Sequence, residues 1–217
     1  MLPAVMFASW LALEPVPFVP EVFLHQADDM HALWEAVGTP SPPYWAFPWL
    51  GGQALARYVL DNPALVRGKR VLDLATGSGL VAVAALKAGA RSVLAADIDP
   101  LTEDAVAANA TANRVSVMWT GLGLLEGQVP HVDVVLAGDV LYEREMASRV
   151  LAWLRTFTGT VLLGDPGRDY LPQSGLVEQQ GYDIATTREL EGVPVKRVRV
   201  FTLATAAVPE VPSAGAP

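Results

Sequence analysis

Cysteine is absent from the 217 residues, and histidine and lysine are scarce, at three each. Without cysteine there is no disulfide, no zinc-thiolate centre and no thiol nucleophile, and the chain suits a reducing compartment. His25, His31 and His131 stand far apart in sequence, so a histidine metal site is not expected. Lys and Arg total 15 against 23 acids, a formal net charge of -8. Nucleic-acid binding relies on cations that release counterions from phosphates, so this balance argues against such a partner. A long uninterrupted apolar run is missing too. Met1 to Pro20 is apolar but has no basic leader, and Glu14, Pro15, Pro17 and Pro20 break it well short of the ~20 residues a membrane span requires. Residues 1–20 read as an N-terminal extension of a soluble, cytoplasmic protein.

What is present is a well-supplied core: 52% of the residues are hydrophobic and the mean hydropathy is +0.32. One domain, residues 21–204, accommodates it. Residues 205–217, an Ala/Pro/Val/Ser tail, have no core-forming pattern and read as disordered. No repeat and no interdomain linker stands out. A short extended piece around Val22 leads to a helix opening at Asp28 or Asp29, acids suited to a helix N-terminus. Tyr44 to Gly52 is an aromatic cluster that its proline and glycine neighbours should hold in a non-helical path, with a helix starting only at Gln53 and ending at Leu60. Apolar runs at 70–74 and 92–96, each followed by a helical pattern (79–88, then to about 109), read as parallel strands covered on both faces. Further strands are expected at 115–119, 132–137 and 160–163, with a helix at 144–156. Residues 182–187 and 197–203 read as a hairpin joined across Glu191-Gly192-Val193-Pro194. The fold class is therefore α/β: a Rossmann-like, seven-stranded, mostly parallel sheet with an antiparallel C-terminal hairpin and helices on both faces.

In such a sheet, ligands sit outside the carboxyl ends of the strands, at the switch of strand order. Those ends carry Asp73, Asp97, Asp139 and Asp165. The turn after the first strand, Asp73-Leu74-Ala75-Thr76-Gly77-Ser78-Gly79, combines small residues with a leading acid. Glycine permits close ligand approach and positive φ. The acid would repel a pyrophosphate and suits a cationic ligand. Asp97 follows about twenty residues on, where a carboxylate accepts two hydrogen bonds from a ribose diol. Asp99, before Pro100, reads as a helix cap. Each acid taken alone is more often a cap or an ion-pair partner than a ligand; together they favour a site.

The acid-led turn, Asp97 and the antiparallel finish resemble a seven-stranded S-adenosylmethionine methyltransferase. More narrowly, Pro42-Pro43-Tyr44-Trp45-Ala46, Trp49, Gly51-Gly52-Gln53-Ala54-Leu55, Leu60-Asp61-Asn62-Pro63, Asp97-Ile98-Asp99-Pro100, Gly138-Asp139-Val140-Leu141-Tyr142 and Gly164-Asp165-Pro166-Gly167-Arg168 resemble the electron transfer flavoprotein β-subunit lysine methyltransferases of methyltransferase family 16 and their bacterial relatives. The resemblance implies S-adenosyl-L-methionine as cofactor and a protein lysine as acceptor. It implies that Asp73, Ala75, Gly77 and Gly79 hold the methionine moiety, Asp97 and Ile98 the nucleoside, and Trp45 or Trp49 close over the cofactor. Asp139 would also touch the cofactor. Asp139, Tyr142 and Asp165 would act on the acceptor side, with Arg168 completing a wall. Two positions depart from the pattern: Ala75 stands where glycine is common, and no acid for the adenine amino group occurs around Thr120, which is left as the contact there. A methyltransferase of another protein or of a small amine, a silent cofactor-binding module and a nicotinamide oxidoreductase are the alternatives.

Overall fold

The computed structural model describes residues 9–127, 130–187 and 191–204. The tail expected at 205–217 lies outside the described residues. A seven-stranded sheet is built from β3 (Arg70–Leu74), β4 (Ser92–Ala96), β5 (Met118–Thr120), β6 (Val134–Gly138), β7 (Thr160–Asp165), β8 (Leu176–Ala185) and β9 (Val195–Leu203). Its order is β5-β4-β3-β6-β7-β9-β8. The first five of these run parallel and β9 pairs antiparallel with both β7 and β8.

Alternation along the strands divides the core in two. Val71, Val134 and Leu136 point to one face, where α2 (Leu50–Asp61) and α3 (Leu80–Lys87) cover them; Leu72, Val135 and Ala137 point to the other, under α5 (Arg144–Thr156). Side chains that switch face at every residue require both faces to be covered, which is why these strands read as continuous apolar runs. A fully buried Leu or Val contributes roughly 1.5–3 kcal/mol in this setting, and Leu72, Leu136 and Leu162 are all at or near zero exposure.

Residues 12–26 are folded onto this body. β1 (Ala12–Val16) and β2 (Val19–Gln26) form an antiparallel hairpin. Val16, Val19, Val22 and Leu24 are buried against Ala56, Leu80, Val83 and Ala84. The boundary expected at residue 20 therefore falls inside β2. Helix α1 (Met30–Val37) opens where the acids suggested, with Asp29 accepting the Ala32 N–H, and stops at Gly38 with φ +66°. α4 (Thr102–Ala112) grips the hairpin: Asn109 and Asn113 accept the backbone N–H groups of His25 and Phe23.

The path expected for the aromatic segment is corrected at its end. The Gly51-Gly52 pair does not hold an open path; helix α2 begins at Leu50 and contains both glycines. The reason is tertiary. A Cβ on Gly51 would sit 2.6 Å from Asp139 Oδ2, and one on Gly138 would sit 2.8 Å from Gly52 Cα. Gly164, paired with Gly138 across β6 and β7, meets the Gly51 carbonyl in the same way. Three glycines thus let a helix lie with its backbone directly on the strand ends, a contact that offsets the entropic cost of glycine in a helix start. The strand expected at 115–119 shrinks to Met118–Thr120, and the edge strand β8 begins six residues before the expected 182 because its polar, exposed stretch lacks the apolar alternation that marks half-buried strands.

Candidate active site

Strand order reverses between β3 and β6, and a cleft of about 630 Å³ opens there, at the carboxyl ends of the strands. Ala75 and Gly77 after β3, Asp97 and Ile98 after β4, and Asp139 and Tyr142 after β6 line it, with Trp45 and Trp49 from the aromatic segment above. A small side cavity behind Trp49 and Gly77 is lined by Asp73, Phe47 and Ser78. The expected residues Trp45, Trp49, Ala75, Gly77, Asp97, Ile98, Asp139 and Tyr142 are therefore brought together, and Asp73 adjoins them.

Three expected residues stand elsewhere. Gly79 is the residue before α3, at φ +79°, and a Cβ there would press on Val106 at 3.2 Å, so it serves packing of the turn. Thr120 lies outside the cleft lining; its hydroxyl accepts the Leu122 N–H and its carbonyl accepts the Asp97 N–H. Leu122 to Glu126 form that wall instead. Asp165 is fully buried and does not reach the cleft: its Oδ1 accepts the N–H groups of Gly167 (2.6 Å) and Arg168 (2.8 Å). Its carboxylate shapes a tight turn, with Gly167 at φ +85°, that presents Arg168. One oxygen is taken by the turn and the other, Oδ2, is buried without a hydrogen-bond partner, so the carboxylate acts on Arg168 through its backbone.

On the β3–β4 side, carboxylates organise backbone. Asp73 Oδ2 accepts the Thr76 hydroxyl (2.6 Å) and the Ala82 N–H (3.0 Å). Burial lifts its pKa to about 7, with the nearby Asp97 adding to the rise. Asp97 ties the glycine turn to its own loop, Oδ2 accepting the Gly77 N–H at 2.9 Å and Oδ1 the Asp99 N–H at 3.0 Å. Its pKa is raised, again chiefly by burial. Asp99 accepts the Leu101 N–H in the turn ahead of α4; it is not the helix cap expected, because α4 opens after Leu101 and has no side-chain cap.

On the β6–β7 side the arrangement is ionic. Asp139 has a left-handed backbone, φ +56°. Its Oδ2 accepts the Gly51 N–H at the start of α2, a position where the helix field favours an anion. Its Oδ1 accepts both Nε (3.0 Å) and Nη2 (2.8 Å) of Arg168. Burial raises its pKa to about 6 although Arg168 pulls the other way. Arg168 also reaches Glu191, Nη1 to Oε2 at 3.0 Å and Nη2 to Oε1 at 2.8 Å. Tyr142 is 46% exposed, so its ring is open to the cleft, and it packs on Tyr44 with centroids 5.8 Å apart. Partial burial pushes its hydroxyl up to about 12, so it stays protonated at neutral pH. Tyr44 meets Trp49 edge-on at 5.6 Å, and the Trp49 indole donates to the Tyr44 carbonyl at 2.8 Å. The ion partner Glu191 and the Gly51 contact had no local sequence signal. Gly138 and Gly164 at one rung of the sheet were the available hint of a close approach.

The fold is that of the class I methyltransferases. Magnesium protoporphyrin IX methyltransferase (ChlM) from Synechocystis PCC 6803, solved with bound SAM, has a TM-score of 0.53 to this chain at 14% identity, over 70% of this chain and 78% of its own. At that identity the likeness is one of fold. The family model described as ribosomal protein L11 methyltransferase (PrmA) matches residues 53–155. Nearer in sequence, the electron transfer flavoprotein beta subunit lysine methyltransferase of Mus musculus is 44% identical over 133 residues, covering 59% of this chain and 52% of its own length. The protein of the same name from Xenopus laevis is 40% identical over 160 residues, covering 70% and 65%. The chain thus spans about half the length of the first relative and just under two thirds of the second.

Proposed function

We propose that this chain is an S-adenosylmethionine-dependent protein lysine N-methyltransferase whose acceptor is the electron transfer flavoprotein β subunit. The observation that carries the reading is the composition of the cleft: an acid-led glycine turn and Asp97 on one side, Asp139 and Tyr142 on the other, under an aromatic roof. The two arginines among its lining residues are both paired, Arg149 with Glu126 at 2.7 Å and Arg168 with Asp139. That leaves no free guanidinium for a pyrophosphate and favours a cationic cofactor over a dinucleotide.

The residues fit such a group. At Gly77, φ +52°, the nearest atom to an added Cβ is Trp45 Cα at 3.9 Å, so the turn leaves room on its ligand face. Asp97 would accept from the ribose diol, Ile98 and the Leu122 to Leu125 wall would flank the base, and the Asp73 cavity would take the methionine end. When bound, the cofactor supplies a methyl carbon already activated by its sulfonium. The chain's task is then positioning, which can be worth many orders of magnitude in rate. Asp139 would accept from the incoming ammonium and Tyr142 would hydrogen-bond it. The rings of Tyr44, Trp49 and Tyr142 oppose charge and ease its deprotonation.

The test is to incubate the chain with labelled S-adenosylmethionine and purified host β subunit, and in parallel with host lysate. Label on lysine of the β subunit is expected. Label on a small molecule, with none on protein, would overturn the reading. Label on a different protein would favour the second reading, another protein acceptor, which the match to the PrmA family model supports. Calorimetric titration should give a Kd for S-adenosylhomocysteine and no heat for NAD.

A further inference from the structure

The acceptor side of the cleft holds three charges where two would cancel. Asp139 and Arg168 alone form a neutral pair. Glu191 adds a third member that never touches the cleft: its side chain is 3% exposed, against 8% for Asp139 and 22% for Arg168. It is delivered by the segment joining β8 to β9, whose ends are tied by the Thr186 N–H to the Pro194 carbonyl at 3.0 Å, with the Glu191 N–H donating to Thr187 at 3.1 Å. Both Glu191 oxygens are spent on the two terminal nitrogens of Arg168. Such a two-pronged pair fixes a guanidinium plane far better than one contact. The plane so fixed carries Nε and Nη2 to a single oxygen, Asp139 Oδ1.

Two consequences follow from this geometry. Arg168 lines the cleft but offers no free positive charge to it, because the Asp165 turn holds its backbone and Glu191 and Asp139 hold its head. The salt-bridged trio of Asp139, Arg168 and Glu191 sums to one negative charge in partly buried surroundings where screening is weak, and the buried Asp165 carboxylate beside Asp139 acts with the same sign. The other salt bridge among the cleft-lining residues, Arg149 with Glu126, is neutral.

We propose that Glu191 is a positioning residue that fixes Arg168 and adds a negative charge to the acceptor side, so that the site selects an acceptor bearing a primary ammonium over a neutral one. The inference rests on the methyl-transfer reading above and deepens it. Glu191 has no contact with substrate in this role; it works through Arg168 on the field at Asp139. Coulomb attraction across several ångströms of partly buried protein is worth about tenfold in binding for one unit of charge.

The experiment uses the full chain with S-adenosylhomocysteine bound. It is titrated with n-butylammonium chloride, the chemical head of a lysine side chain, and with n-butanol, its uncharged counterpart, following tryptophan fluorescence. Wild type should prefer the ammonium. Glu191→Gln should weaken n-butylammonium about tenfold while leaving n-butanol and S-adenosylhomocysteine affinity unchanged, and Glu191→Asp should recover part of the loss. With the labelled β subunit as acceptor, Glu191→Gln should raise KM about tenfold and alter kcat by less than about twofold. Equal affinity of wild type and Glu191→Gln for n-butylammonium overturns the proposal. So does a parallel loss of n-butanol binding, cofactor affinity and Tm, the mark of a scaffold. If Glu191→Gln does not fold, equal binding of the two probes by wild type overturns it as well. Absence of label on any lysine would defeat the functional reading while leaving the charge preference in the titration intact, so the two failures are told apart.

Discussion

The two ends of the cleft hold the same kind of side chain in different company. At the β3–β4 end, Asp73 and Asp97 face backbone N–H groups and a hydroxyl. At the β6–β7 end, Asp139 and Asp165 work on an arginine, one directly and one through its backbone. Burial raises the pKa at all four positions. The first end is a loop tied together by its own carboxylates. The second is a charge assembly whose sum is set by partners from three separate segments. A carboxylate that organises its own loop can be read from one βαβ unit; one that depends on an ion pair cannot.

The strongest way to break the contrast is at the seam that both ends share. Gly51→Ala should drive a methyl group into Asp139 and the β7 backbone, costing about 3 kcal/mol or more of stability by overpacking, and urea denaturation would register it as a lower midpoint. A loss under about 0.5 kcal/mol would mean that α2 shifts freely and that the seam is not tight. Next in size, Asp139→Asn should cut turnover on the order of a hundredfold by misplacing the acceptor while leaving S-adenosylhomocysteine affinity unchanged. Near-normal turnover would remove Asp139 from the acceptor role. Asp97→Asn should do the reverse, weakening S-adenosylhomocysteine about tenfold in calorimetry through one impaired charged hydrogen-bond acceptor, with turnover at saturating cofactor nearly kept.

A pH series probes the buried carboxylate at the first end. Asp73 keeps its proton in the folded chain up to about pH 7, whereas the unfolded chain releases it near the ordinary carboxylate value of 3.8. Between those values the folded state binds more protons. Its stabilising share is present in full below the lower value and is lost as pH rises through the upper one, at about 1 kcal/mol per pH unit. Denaturation midpoints should therefore fall as pH climbs from about 4 to 7, and Asp73→Asn should flatten the slope. Asp133, paired with Arg70, has a lowered pKa and acts only on the acid side of that window.

The same contrast explains what was legible. β3 and β4 match their apolar runs residue for residue, since a strand buried on both faces announces itself. The Asp97 position followed from the spacing of one βαβ unit. The start of helix α2 is hidden at Gly51-Gly52 because glycine pairs usually break helices, and the partner that makes them useful, Asp139, lies 88 residues away. Asp165 was expected at the acceptor, but its proximity in sequence to Gly167 and Arg168 gave it a local turn to make first. Glu191 looked like a residue of a hairpin connection, and nothing short of the folded sheet joins it to Arg168.

The left-handed backbone of Asp139, φ +56°, narrows what any drifting sequence can do at this point. Only glycine, asparagine and aspartate occupy that conformation readily. Glycine would strip the side chain away and asparagine would leave Arg168 and Glu191 without their third charge. Mutation therefore has few folded intermediates through which to trade this carboxylate for another residue, and a change of acceptor chemistry has an easier path through the residues around Asp139 than through Asp139 itself.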